Sequence, residues 1–347
     1  MSHKVAFLGC GARANGHASV YDRITRGAPV ACCDLIEEKA VGFAQKYGIP
    51  QWYLDLDEMI ERERPDLVHM SMPPTIRYSV MKRLSDHGVP AVIVEKPIAI
   101  GARDYELLRE LEATSATKFT VNHQLRYHER ILEMLERVAA GEIGAVRCLD
   151  ASARLPLNGQ GVHVLDLMFA FAGYTPVRAV HAACSGFDDI NGTHPSPESL
   201  SALITFADGK RGILQSGAGV PEMGENLARH MHKRIAVYGE TGFVHWTMHS
   251  WETGIGGRVE RGEHEYRVVD DVGQINLTNA VFDWIEDDAA VTPTNLATSL
   301  DEWQVLLACY ASTVRGTPIE FPFEPEDDLL ERYIEFAGAQ WTNPHGG

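Results

Sequence analysis

No apolar run in this 347-residue chain approaches the roughly 20 residues that a membrane-spanning helix requires, so no membrane association is expected. Basic residues are scarce, with 31 Lys and Arg against 48 Asp and Glu and a formal charge of −17. Phosphate backbones are gripped by clustered Lys/Arg faces, and none is visible here, which excludes a nucleic-acid partner. Cysteine is sparse and scattered. Cys32 and Cys33 are adjacent within an apolar stretch, a spacing that suits neither a zinc site nor a disulfide framework, so buried reduced thiols are expected. Low-complexity tracts and internal repeats are also missing, which removes solenoid and disordered classes. The start, Met1 to Lys4, leads directly into a strand and leaves no room for a signal peptide, so the expected location is cytoplasmic. Histidine is plentiful, at 15 residues. Its best pairs, His230 with His232 and His245 with His249, lack acidic or thiol partners at a ligand spacing, so no metal is expected.

What is present points to a two-domain α/β protein. Short apolar runs at 5–8, 29–33, 66–70, 91–94 and 118–121 alternate with helical stretches at about 14–26, 37–47, 76–87 and 103–115. Strands apolar throughout and separated by helices form a parallel sheet covered on both faces, a doubly wound Rossmann arrangement. Ligands of such sheets bind at the strands' carboxyl ends. Those ends here are Gly9–Gly11, Asp34, Pro73–Pro74, Glu95–Pro97 and Asn122–Arg126, and all five carry polar or backbone-shaping residues.

The stretch Gly9-Cys10-Gly11-Ala12-Arg13-Ala14 fits the dinucleotide fingerprint after a strand and before a helix. Gly9 permits the tight turn, Gly11 lets backbone approach a diphosphate, and Ala14 allows close helix–strand packing. Asp34 ends the second strand, where a carboxylate accepts hydrogen bonds from the adenosine ribose and repels a 2′-phosphate. Leu35 and Ile36 supply no cation there, so NAD is expected rather than NADP. Arg13 either reaches a 2′-phosphate or faces solvent. Cofactor contacts are expected from Gly9, Gly11, Ala12, Arg13, Ala14, Asp34, Pro73, Glu95, Lys96, Pro97 and Gln124.

Several further motifs are ordered along the chain: Pro73-Pro74, Glu95-Lys96-Pro97, Arg126-Tyr127, Gly141-Glu142-Ile143-Gly144, Gly161-Val162-His163 followed by Asp166, and Tyr238-Gly239 through Gly242. In this order and at these separations the chain resembles the glucose–fructose oxidoreductase / inositol dehydrogenase / MocA family of NAD(P)-dependent oxidoreductases over most of its length. The resemblance implies that Lys96 orients the substrate hydroxyl and relays its proton, that Pro97 follows a cis peptide bond, that His163 is the general base, and that Asp166 binds substrate or completes the relay. It also implies a C-terminal α+β domain with an open, mainly antiparallel sheet that forms the contact of a homodimer or homotetramer. The residues agree on chemical grounds. His163 lies in the first turn of an expected helix from Val162, where the dipole favours a neutral imidazole, and Asp166 shares its face. The plain alternative is a histidine and a carboxylate bonded to each other at a domain boundary.

Three departures fall on the substrate side. Gly159, beside Asn158, stands where many members carry aspartate; Arg77 replaces a histidine; and His123-Gln124-Leu125-Arg126-Tyr127 replaces a common Asn-Arg-Arg-Phe-like stretch. Substrate contacts are expected from Lys96, His123, Arg126, Tyr127, Asn158, His163 and Asp166. The expected division is a NAD-binding domain over 1–125 and a substrate and oligomerisation domain over 126–347, with the late helix near 299–315 a candidate to pack back on the first. Segments 185–197, 217–229 and 341–347 read as loops or tail. Trp246, His249 and Trp251 are either a sugar-stacking wall or sheet core. The leading function is hydride transfer between a secondary alcohol of a sugar, cyclitol or related polyol and the nicotinamide. The alternatives are a redox-assisted glycosidase or eliminase that recycles NAD, and a non-catalytic NAD-binding sensor.

Overall fold

The computed structural model describes residues 2–186, 195–224 and 227–341. Most of the 185–197 segment, two residues of the 217–229 segment and nearly all of the tail from 341 lie outside these residues. The chain divides into two compact units, the first built from Met1–Ala99, Leu107–His128 and Asp270–Leu300.

In the first unit, strands β1 (His3–Leu8), β2 (Gly27–Cys33), β3 (Gln51–Tyr53), β4 (Leu67–Met70), β5 (Ala91–Val94) and β6 (Lys118–Val121) alternate with helices. These are α1 (Ala12–Ala18), α2 (Glu37–Tyr47), α3 (Leu56–Glu63), α4 (Arg77–Asp86) and α5 (Ala102–Thr114), of which α5 belongs to this unit from Leu107 onward. The strands form one sheet in the order β3-β2-β1-β4-β5-β6, every pair parallel. All four residues of β4 and of β5 are buried, as a strand covered on both faces requires. The order reverses between β1 and β4, which opens a crevice at their carboxyl ends.

The second unit begins with α6 (Glu129–Ala139), β7 (Val146–Ala153), α7 (Val162–Phe171), β8 (Val177–Ser185), β9 (Ser199–Phe206) and β10 (Arg211–Gly217). It continues with β11 (Lys233–Gly239), β12 (Phe243–Thr247), β13 (Ser250–Ile255) and β14 (Arg258–Glu263). Helices α8 (Tyr266–Glu286) and α9 (Leu296–Arg315), strand β15 (Ile319–Glu320) and α10 (Leu329–Trp341) complete the chain. Its nine-stranded sheet runs β14-β13-β12-β11-β7-β10-β9-β8-β15. Only β7 and β10 pair in parallel; the other pairs are antiparallel. Alternation in β9 buries Leu200, Ala202, Ile204 and Phe206 and turns the intervening residues outward, the pattern of a sheet with one covered face.

From Asp270 onward α8 belongs to the first unit. Its Leu277, Val281 and Phe282 join Val5, Phe7 and Ala14 in one apolar cluster. No described helix is long and apolar enough to cross a membrane.

Candidate active site

The glycine loop leaves β1 with Gly9 at φ +83°, a conformation that favours glycine. A Cβ there would also stand 2.8 Å from the Ser71 carbonyl oxygen. Gly11 differs. Nothing lies within 4 Å of a Cβ built on it, so protein packing does not demand glycine, whereas a diphosphate laid over the loop would. Ala14 is fully buried, in keeping with close helix–strand packing. Asp34 faces the loop: its Oδ2 accepts from the Cys10 N–H at 2.8 Å and its Oδ1 from the Ile36 N–H at 2.9 Å. Beyond it Leu35 is 82% exposed and Ile36 46%, an uncharged rim beside the place an adenosine ribose would occupy. These residues fit a bound dinucleotide.

Arg13 is half exposed to solvent and also engages a carboxylate. Its Nη2 donates to Glu95 Oε1 at 3.1 Å, because that carboxylate is buried to 4% exposure and draws cations inward. Glu95 is also the terminus of a buried chain that local sequence reading missed. Tyr21 Oη lies 2.6 Å from His69 Nε2, His69 Nδ1 lies 3.0 Å from His17 Nδ1, and His17 Nε2 lies 2.9 Å from Glu95 Oε1. Asn122 Nδ2 donates to the same oxygen at 2.8 Å. With Glu95 ionised, His17 Nε2 is the donor to its Oε1. Burial holds His69 well below its ordinary pKa and hence neutral. Burial alone would raise Glu95, but Arg13, His17 and Lys96 outweigh it and hold the carboxyl well below its usual range.

Lys96 follows, joined to Pro97 by a cis peptide. Burial, with Arg13 and Arg77 nearby, brings its ammonium down to about 8 against the opposing pull of Glu95. The Pro73–Pro74 turn leads through a short 3-10 turn at Pro74–Ile76 into α4, and Arg77 folds back to donate to the Met72 carbonyl at 2.7 Å. At the end of β6, His123, Gln124, Arg126 and Tyr127 are all buried around a second 3-10 turn. Gln124 Nε2 donates to Asp270 at 3.3 Å, and Tyr127 Oη lies 3.3 Å from Thr294 Oγ1. Thus Gly9, Gly11, Ala12, Arg13, Ala14, Asp34, Pro73, Glu95, Lys96, Pro97, His123, Gln124, Arg126 and Tyr127 all belong to the first unit, along the sheet's carboxyl edge.

In the second unit a π-helical turn at Leu157–Gly161 runs into α7, every residue of which is buried. His163 and Asp166 sit one turn apart on it, 3% and 1% exposed. Asn158 is committed to the fold: Nδ2 donates to the Pro195 carbonyl, and Oδ1 accepts from Tyr310 Oη at 3.2 Å. A Cβ on Gly159 meets nothing within 4 Å. The sugar-stacking reading of the tryptophans does not hold. Trp246 is 1% exposed, and the Arg130 guanidinium covers Trp251 at 3.8 Å from the ring centre. Among the described residues no group of three His, Cys, Asp or Glu is disposed to hold a metal.

Residues 3–123 match the model of an oxidoreductase family with an NAD-binding Rossmann fold. That model is the one for the Gfo/Idh/MocA oxidoreductases, and it matches about the N-terminal third of the chain. It is 26% identical over 246 residues to D-glucoside 3-dehydrogenase of Escherichia coli K12, covering 61% of this chain and 68% of that protein. It is 25% identical over 140 residues to Oxidoreductase P35 of Formosa agariphila, covering 40% of this chain and 43% of the relative. An Agrobacterium radiobacter oxidoreductase, solved with NAD+, L-tartaric acid and magnesium, superimposes with a TM-score of 0.79 at 16% identity, over 92% of this chain and 98% of that one. The matched model is of an NAD-binding fold, and the glycine loop and Asp34 are the residues that fit NAD.

Proposed function

We propose that this chain oxidises or reduces a secondary alcohol of a sugar, cyclitol or related polyol, with NAD rather than NADP as partner. The observation that carries the reading is Lys96 at the carboxyl end of β5, its ammonium brought down to about 8. An amine so placed is partly neutral near physiological pH and is suited to take or return a hydroxyl proton. The preference for NAD rests on the Asp34 carboxylate, the uncharged rim beyond it, and the engagement of Arg13 with Glu95. Sugar chemistry is supported by the relative whose name is a glucoside dehydrogenase.

In the oxidative direction the carbinol loses its C–H hydride and its O–H proton and becomes a carbonyl; bound NAD would supply the hydride acceptor. The chain's own residues hold the hydroxyl and move its proton: Lys96 orients the oxygen, His163 accepts the proton, and Asp166 holds substrate or carries the proton onward. Residues 1–125 are assigned to the cofactor and 126–347 to substrate. The outer face of the nine-stranded sheet is assigned to a homodimer or homotetramer.

The test is NADH absorbance when protein and NAD meet a panel of sugars, cyclitols and glycosides, with product analysis of each mixture. The expected result is NADH formation, and a loss of turnover of about two or more orders of magnitude in Lys96→Ala and His163→Ala with NAD affinity retained. Cleaved or altered sugar without NADH would replace this reading with transient oxidation. Binding of NAD without any reaction would replace it with a sensor.

A further inference from the structure

Arg77 begins α4, at the helix end whose dipole repels a cation. It is 2% exposed. Its one hydrogen bond goes to a neutral acceptor, the Met72 carbonyl at 2.7 Å, and among the described residues its Nε and Nη1 have no partner. A buried guanidinium of this kind is costly unless a counter-charge meets it. Burial lowers its pKa, to about 10, so it stays charged at neutral pH.

The surroundings do not supply that charge. The carboxylate acting on it is Glu95, whose Oε1 already receives Arg13, His17 and Asn122. Among the described residues the charged groups acting on Lys96, on the adjoining strand end, are Glu95, Arg13 and Arg77, and burial holds His69 on β4 neutral. Glu95, the carboxylate that acts on Arg77, is thus already engaged, while Arg77 adds a buried positive charge beside it. A buried guanidinium at the carboxyl edge of a sheet, with two of its nitrogens uncommitted, is built for an anion.

We propose that Arg77 anchors an anion subsite beside Lys96 and that its ligand is a carboxylate of the substrate, so that sugar acids are preferred over neutral sugars. This rests on the oxidoreductase reading above. A cofactor diphosphate has similar chemistry. The glycine loop after β1, open at Gly11, already provides for it, whereas Arg77 follows β4 and acts on the lysine assigned to the reacting hydroxyl.

The experiment is titration calorimetry of the NAD-saturated protein with D-glucuronate and D-galacturonate beside D-glucose and D-galactose. It is run on the wild type, Arg77→Met and Arg77→Lys, with NAD affinity and NADH formation measured in parallel. The acids are expected to bind about 10- to 100-fold more tightly than their neutral counterparts. Arg77→Met should abolish that gap, Arg77→Lys should keep part of it, and NAD affinity should hold in both. Equal binding of acids and neutral sugars by the wild type would overturn the proposal, as would a gap that survives Arg77→Met. Weakened NAD binding in Arg77→Met with the gap intact would assign the guanidinium to the diphosphate instead. Should Arg77→Met fail to fold, the Arg77→Lys gap decides: one unchanged from the wild type overturns the proposal, and a reduced one supports it. Acid preference without any NADH would leave the subsite standing and remove the oxidoreductase reading. Turnover of neutral sugars without acid preference would do the reverse.

Discussion

At the scale of single residues, Lys96 is set by four forces of opposite sign. Burial, Arg13 and Arg77 lower its pKa, Glu95 raises it, and the balance lies at about 8. If the neutral amine relays the proton, oxidation rises as pH increases through about 8 and levels off above it. The variants follow by sign. Removing a repelling cation in Arg13→Met or Arg77→Met moves the limb of the kcat/KM profile to higher pH, and removing the attracting carboxylate in Glu95→Gln moves it lower. A profile unmoved by all three would take Lys96 out of the proton path. The residues that end each strand were legible because a polar side chain after an apolar run is a local signal. The Tyr21–His69–His17 chain was not, since its members lie 48 and 52 positions apart. The available hint was a histidine inside the otherwise apolar 67–70 run, which is tolerated in a buried strand only with partners.

At the scale of elements, the alternation of β and α and the sheet type followed from periodicity, while β3 and α3 were missed. Strand β3 has three residues, two of them exposed, and such an edge strand carries no apolar run to detect. Helix α3 leaves only Leu56, Met59 and Ile60 buried, in a segment dominated by charge. Glycines within helices expose the same limit. Gly273 lies in α8, where a Cβ would stand 2.7 Å from the Gln124 carbonyl oxygen and 2.7 Å from the His128 ring. Alanine there gains about 1 kcal/mol of helix propensity and loses about 1–3 kcal/mol to overpacking, so Gly273→Ala should be destabilising. Gly42 in α2 is exposed with nothing within 4 Å of its Cβ position, so Gly42→Ala should stabilise by about 0.5–1 kcal/mol. Urea midpoints of the two variants check both signs. Equal shifts would mean that α8 does not approach the 124–128 turn as closely as described.

At the scale of the whole molecule, which sheet a helix covers is not written in its local pattern. Helix α8 places Leu277, Val281 and Phe282 against Val5 and Phe7, more than 250 positions earlier in the chain, and only long-range packing decides this. The nine-stranded sheet raises the complementary question of what its outer face meets. Register aligns one row of residues across seven strands: His181 opposite Leu203, then Ile213, Asp150, Ala236, His245 and Glu252. Leu203 and Ile213, directly paired, are 43% and 40% exposed, and Tyr238 on the same sheet is 39% exposed. Adjacent large apolar side chains on a flat sheet face are the kind of surface that a self-complementary contact covers. If a second copy of this chain covers it, Leu203→Arg with Ile213→Arg puts two cations of each copy into the contact. The assembly should then fall to monomers in light scattering, with the far-UV spectrum unchanged because both side chains already reach solvent. An assembly mass equal to that of the wild type would place the subunit contact elsewhere.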